Sequence, residues 1–130
     1  MIGLDTNVLV RYIVQDDAHQ SAKATLLIES LTPEAPGYIG LVCVTELVWV
    51  LADSYNSAKD DIVKVLEGLL RTKGFAVENA DTVWKAVRMF KEGNAAFADC
   101  LIERAANEAG CDFTATFDRG AARHCGMKML

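Results

Sequence analysis

The chain opens Met-Ile-Gly-Leu-Asp-Thr-Asn-Val-Leu-Val-Arg-Tyr, and this stretch limits the fold more than any other. Residues 1–4 are apolar without polar alternation and residues 8–14 are apolar again. Asp5, Thr6 and Asn7 therefore form a polar hinge between two segments expected to be buried. The hinge puts a carboxylate where a core strand stops. In open parallel sheets the carboxyl ends of strands border the crevice where ligands bind, so Asp5 is expected on that edge. Thr6 or Asn7 is expected to cap the following helix by accepting a hydrogen bond from a free N–H of its first turn. These residue types are also ordinary turn and cap residues, so the triplet by itself does not define a site.

Further along, residues 20–31 read as a helix with Ala24, Leu27, Ile28 and Leu31 at helical spacing, ended by Pro33, Pro36 and Gly37. Residues 38–40 form a short strand. Residues 41–55 are apolar on every face except for Thr45 and Glu46, which predicts a helix buried nearly all round. Glu46 is then a charge among hydrocarbon, which costs several kcal/mol unless it is paired, metal-bound or neutralised. No basic residue lies within one turn of it on the same helix.

An amphipathic helix follows over 58–73, terminated by Gly74, then a strand over 75–77 and a helix over 80–92 that Gly93 stops. Asn94 is expected to cap the next helix. That helix, from Phe97 to Gly110, presents Ala98, Leu101, Ile102, Ala105, Ala106 and Ala109 at steps of three and four. Asp99 falls in its first turn at the border of that face, with Glu103 one turn later. Residues 111–116 read as a core strand, after which Asp118 repeats the arrangement of Asp5, with Thr116 as the small hydroxyl residue before it. A short helix over 119–125 and an edge strand over 127–130 complete the chain. Strands alternating with helices at these separations predict a parallel sheet covered on both sides, because each parallel connection needs a helical crossover.

A length of 130 residues, 52% of them hydrophobic, predicts one domain spanning 1–130 with a sizeable core. No stretch approaches the ~20 apolar residues that cross a bilayer, and the N-terminus lacks a signal peptide's basic flank and cleavage site. No membrane association is expected, and the expected compartment is the cytoplasm. The four cysteines, Cys43, Cys100, Cys111 and Cys125, form no C-x-x-C pair and are expected to be reduced and buried. A net charge of −5 leaves no basic stripe, so a polyanionic ligand requires something to offset the field locally, such as a divalent cation.

Asp5, Glu46, Asp99 and Asp118 all fall at strand ends or helix segments that a doubly wound sheet can bring to one edge. Several carboxylates at one point repel unless a cation holds them. Oxygen-only ligands without histidine select a hard ion, Mg²⁺ or Mn²⁺.

With these acids in place, the chain resembles the PIN-domain ribonucleases and, within them, the VapC-type toxins of toxin-antitoxin pairs. Residues 4–12 resemble the opening motif, Thr45-Glu46 the second, residues 97–102 the third, and Thr116-Phe117-Asp118 the fourth. The resemblance covers nearly the whole chain. It implies a three-layer α/β/α sandwich with a central parallel sheet and metal-dependent endonucleolytic cleavage of RNA. It also implies a homodimer, and inhibition by a VapB-type antitoxin whose tail occupies the active-site groove. Asp5, Glu46, Asp99 and Asp118 correspond to the acidic quartet, with Thr6, Asn7 and Thr116 as polar supports and Glu103 as the alternative fourth acid.

A non-toxin RNA-processing or DNA-cleaving nuclease of the same fold fits the same residues. A haloacid-dehalogenase-type phosphatase wants a second Asp two residues after the first, where this chain has Asn7. A phosphate-accepting receiver domain wants an acidic pair at the first strand, which is absent.

Overall fold

A computed structural model describes all 130 residues, in five strands and seven helices. Two compact units divide the chain, Met1–Glu78 and Asn79–Leu130.

In the first unit the order is β1 (Ile2–Gly3), α1 (Thr6–Val14), α2 (Ala18–Glu29), β2 (Gly37–Ile39), α3 (Leu41–Asp53), α4 (Lys59–Arg71) and β3 (Phe75–Val77). The strands pair in the order β1-β2-β3 and every ladder is parallel, with Ile2 opposite Gly37 and Ile39 opposite Val77. A parallel neighbour is reached only by a crossover. The pair α1 and α2 supplies the first, and α3 and α4 the second. Leu9, Ile39, Val44, Leu47 and Leu66 are the large side chains sealed at the centre of this unit.

The second unit contains α5 (Ala80–Glu92), α6 (Phe97–Glu108), β4 (Ala115–Thr116), α7 (Arg119–Cys125) and β5 (Lys128–Met129). α5 packs on α6, and Phe90 meets Phe97 edge-on with ring centroids 5.7 Å apart. β4 and β5 are parallel, with Thr116 opposite Met129 and α7 as their crossover. The alternation of helices with parallel strands expected from the sequence is present throughout, as the α/β class requires. No helix is long and apolar enough to cross a membrane.

The bounds of β3, α5 and α7 match expectation, and several other features differ. β1 is only two residues long and both are exposed, so of the apolar opening only Leu4 is buried. α3 is not buried all round: Val44, Leu47, Val48 and Leu51 face inward, while Val42 (83% exposed), Glu46 and Trp49 (61%) face solvent. Glu46 is therefore not a charge among hydrocarbon. α6 is rotated from its expected face, burying Phe97, Cys100 and Leu101 and leaving Ile102 exposed. The six-residue strand expected over 111–116 shrinks to β4, and Cys111, Asp112 and Phe113 are exposed.

Helix ends differ too. Thr72, not Gly74, caps α4, its N–H and hydroxyl both donating to the Gly68 carbonyl. Gly74 instead lies against Leu31, where an added Cβ would sit 3.1 Å from the carbonyl oxygen. Asn94 caps nothing, because α6 begins one residue after Ala96, which makes no side-chain cap bond.

Candidate active site

Asp5 itself, rather than Thr6 or Asn7, is the N-cap of α1. Its extended backbone ends the strand segment, and Oδ1 accepts a 2.8 Å hydrogen bond from the Thr6 N–H. Asp5 is exposed. Thr6 is buried, and its hydroxyl donates to the Cys43 sulfur on α3 at 3.5 Å, tying the start of α1 to the helix that carries Glu46. Asn7 is exposed on the first turn of α1. The Cys43 thiol records these neighbours. Burial pushes its pKa up, the Thr6 hydrogen bond opposes this, and the negative charges of Asp5 and Glu46 both add to the rise. The structure thus brings Asp5 and Glu46 around one half-buried thiol.

The second unit repeats this grouping around another cysteine. Asp118 is the N-cap of α7, its Oδ1 accepting from the Ala121 N–H at 2.9 Å, while its own N–H donates to Thr116 Oγ1 at 3.0 Å. Thr116 thereby holds the turn that presents Asp118. Asp99 is half-buried in the first turn of α6, where the helix dipole favours an anion. The Cys125 thiol is raised by burial first, and then by the charges of Asp99, Glu103 and Asp118. Cys100 is pushed up to about 12, chiefly by burial and then by its neighbour Cys125. In neither unit do three His, Cys, Asp or Glu side chains converge closely enough to hold an ion by themselves.

The ion pairs bear on the choice between Asp118 and Glu103. Asp16 is paired with Arg11, Glu108 with Lys85 and Glu103 with Arg104; Asp5, Glu46, Asp99 and Asp118 have no basic partner. Glu103 accepts two bonds from the Arg104 guanidinium, at 2.6 and 2.7 Å, so its charge is already answered. Asp5 and Glu46 in the first unit, and Asp99 and Asp118 in the second, each offer carboxylate oxygens, the donor type that suits Mg²⁺ or Mn²⁺.

Two supporting groups were not legible in the sequence. Tyr55, just past α3, accepts from Arg11 Nη1 at 3.4 Å and donates to Asp16 at 2.8 Å, so Arg11 fastens the end of α1. That hydrogen bond and the Arg11 charge hold the Asp16 carboxyl below its usual range. Glu78 caps α3 from outside, its Oε1 accepting from the Leu41 N–H at 2.8 Å. Gly40 at the cap position has no side chain for this work, which signals that a helix start needs a distant acceptor without saying which.

The thiols give a prediction. Cys111 is exposed, contrary to the expectation that all four are buried, whereas Cys100 and Cys125 are buried and raised. Brief iodoacetamide treatment at neutral pH is expected to label Cys111 first, with Cys100 and Cys125 labelled only on unfolding. Peptide mass spectrometry reads this order, and equal labelling of Cys100 would show that α6 and α7 open readily.

Parallel ladders joined by helices, with carboxylates at the starts of α1, α6 and α7 and on α3, place the chain among α/β proteins. The PIN domain family model matches residues 2–127, and the chain belongs to that family. It is also similar to a VapC ribonuclease of Aquifex aeolicus (strain VF5), with 24% identity over 116 residues, which is 89% of this chain and 86% of that protein.

Proposed function

We propose that this protein is a divalent-metal-dependent endoribonuclease acting as the toxin of a toxin-antitoxin pair, with 1–130 serving as one nuclease domain. The observation that carries the reading is where four carboxylates stand: Asp5 and Asp118 cap α1 and α7, Asp99 lies in the first turn of α6, and Glu46 is exposed on α3, to which Thr6 ties the start of α1. We assign Asp5 and Asp99 as direct ligands of Mg²⁺ or Mn²⁺, with Glu46 and Asp118 binding directly or through water. Asp118 is favoured over Glu103 as the fourth acid because Arg104 already occupies Glu103.

When bound, the ion supplies positive charge against the scissile phosphate and acidifies water for in-line attack. The chain's own residues prepare that chemistry. Thr6 holds the first turn of α1 against α3, fixing Asp5 relative to Glu46. Thr116 fixes the Asp118 turn, and Asn7 is exposed beside Asp5 to donate to substrate oxygens. The likeness to a VapC ribonuclease supports an RNA substrate and a VapB-type antitoxin partner in the cytoplasm. Val42 and Trp49, exposed and apolar on α3, are surface of the kind that protein contacts cover, which supports such a partner and a homodimer.

The test is incubation of purified protein with total RNA, with Mg²⁺ or Mn²⁺ and with EDTA, followed by mapping of the new ends. Discrete cleavage that either ion restores after EDTA is expected. RNA left intact with both ions overturns the reading. A small antitoxin reading frame beside the gene favours the toxin role over an RNA-processing one.

A further inference from the structure

Phe117 is 81% exposed, although its position offers it a place to pack. It immediately precedes the α7 cap Asp118, and a large apolar residue there commonly folds back on the fourth helical residue as a hydrophobic staple. Here that residue is Ala122, yet most of the Phe117 surface stays in solvent. The turn is nevertheless well defined. Thr116 Oγ1 accepts from the Asp118 N–H, and Asp118 Oδ1 accepts from Ala121. Gly120 keeps that cap close, since a Cβ there would sit 3.1 Å from Asp118 Oδ1. An ordered turn therefore carries an aromatic ring to solvent.

The flanking charges say what the ring meets. Arg119 and Arg123 lie four residues apart on one face of α7, both exposed, and neither is ion-paired. In a chain of net charge −5, two unpaired guanidinium groups beside an exposed ring form a local basic and aromatic surface. Single-stranded nucleic acid is bound by this combination, with bases stacked on rings and phosphates tracked by cations.

We propose that Phe117 stacks on an unpaired nucleobase of the RNA substrate, with Arg119 and Arg123 holding the adjoining phosphates. The inference rests on the ribonuclease reading and deepens it: the substrate is single-stranded where it meets α7. Phe117 is a substrate-binding residue and takes no part in bond cleavage.

The experiment compares wild type, Phe117→Ala, Phe117→Trp and the pair Arg119→Ala with Arg123→Ala. Binding of a fluorescein-labelled oligoadenylate strand is followed by anisotropy in EDTA, with an RNA duplex as control. Cleavage of single-stranded RNA in Mg²⁺ gives kcat and KM. Phe117→Ala is expected to weaken strand binding and raise KM by about 5- to 150-fold, the range for one lost base stack. Duplex binding is expected to stay unchanged and Phe117→Trp to restore the strand. The arginine pair is expected to make the salt dependence of log affinity shallower by about 1.4, from two lost phosphate contacts. Because the ring is exposed, all variants are expected to melt with the wild type.

If wild type cleaves but Phe117→Ala has unchanged KM and affinity, the stacking inference falls and the ribonuclease reading stands. If wild type neither binds nor cleaves RNA, the ribonuclease reading falls and takes the inference with it. Loss of a co-purifying protein from Phe117→Ala, with RNA binding intact, assigns the ring to a protein partner and overturns the proposal.

Discussion

Asp5→Asn and Asp99→Asn are each expected to reduce metal-dependent RNA cleavage by at least about 100-fold while the protein remains folded, on the grounds that even outer-shell changes at metal sites cost 10- to 100-fold. Asn is nearly isosteric with Asp but carries no charge, so it is a poor ligand for a hard cation. The fold tolerates the exchange for a local reason. Asp5 caps α1 through Oδ1, and Asn retains an amide oxygen for the same Thr6 N–H. Asp99 accepts no hydrogen bond and belongs to no ion pair, so its replacement leaves no partner stranded. The measurement is initial cleavage rate of single-stranded RNA over a range of Mg²⁺, beside circular dichroism of each variant. Full activity in either folded variant removes that residue from the site.

Leu47→Ala is expected to give the largest stability loss on α3, about 2–5 kcal/mol, or roughly 10 °C in melting temperature. Leu47 is fully buried, and truncation removes the transfer energy of three carbons and leaves a core cavity that cannot close completely. Its sequence neighbour Glu46 behaves oppositely. Exposed and unpaired, Glu46→Gln is expected to change stability by no more than about 0.5 kcal/mol while lowering cleavage. Urea unfolding of both variants separates the two faces of the helix. A Glu46→Gln loss as large as that of Leu47→Ala would mean that Glu46 serves the fold instead of the reaction.

That contrast marks where sequence periodicity stops being informative. In α3 nearly every residue is apolar, so a 3.6-residue period has no polar stripe to register against, and burial was predicted on all sides. Packing chose the Val44, Leu47, Val48 and Leu51 face. In α6 the expected face took in both Leu101 and Ile102, and packing kept Leu101 inside with Phe97 and Cys100 while leaving Ile102 exposed. By contrast α5 carries a regular alternation of apolar and charged residues between Asn79 and Gly93, and its bounds were predicted to the residue.

What the sequence determined by itself is local in origin. Strand and helix alternation, the candidate acids and their place at element boundaries all follow from short-range pattern, because turn chemistry and hydrophobic period act over a few residues. The tertiary structure decided which groups are already spoken for. Arg104 occupies Glu103, Tyr55 joins Arg11 to Asp16, Glu78 caps α3 from across the unit, and Thr6 turns inward to Cys43. Three of these four join residues 37 or more positions apart. Hydrogen bonds and charges act through distance in space, and chain separation carries no information about that distance until the core has packed.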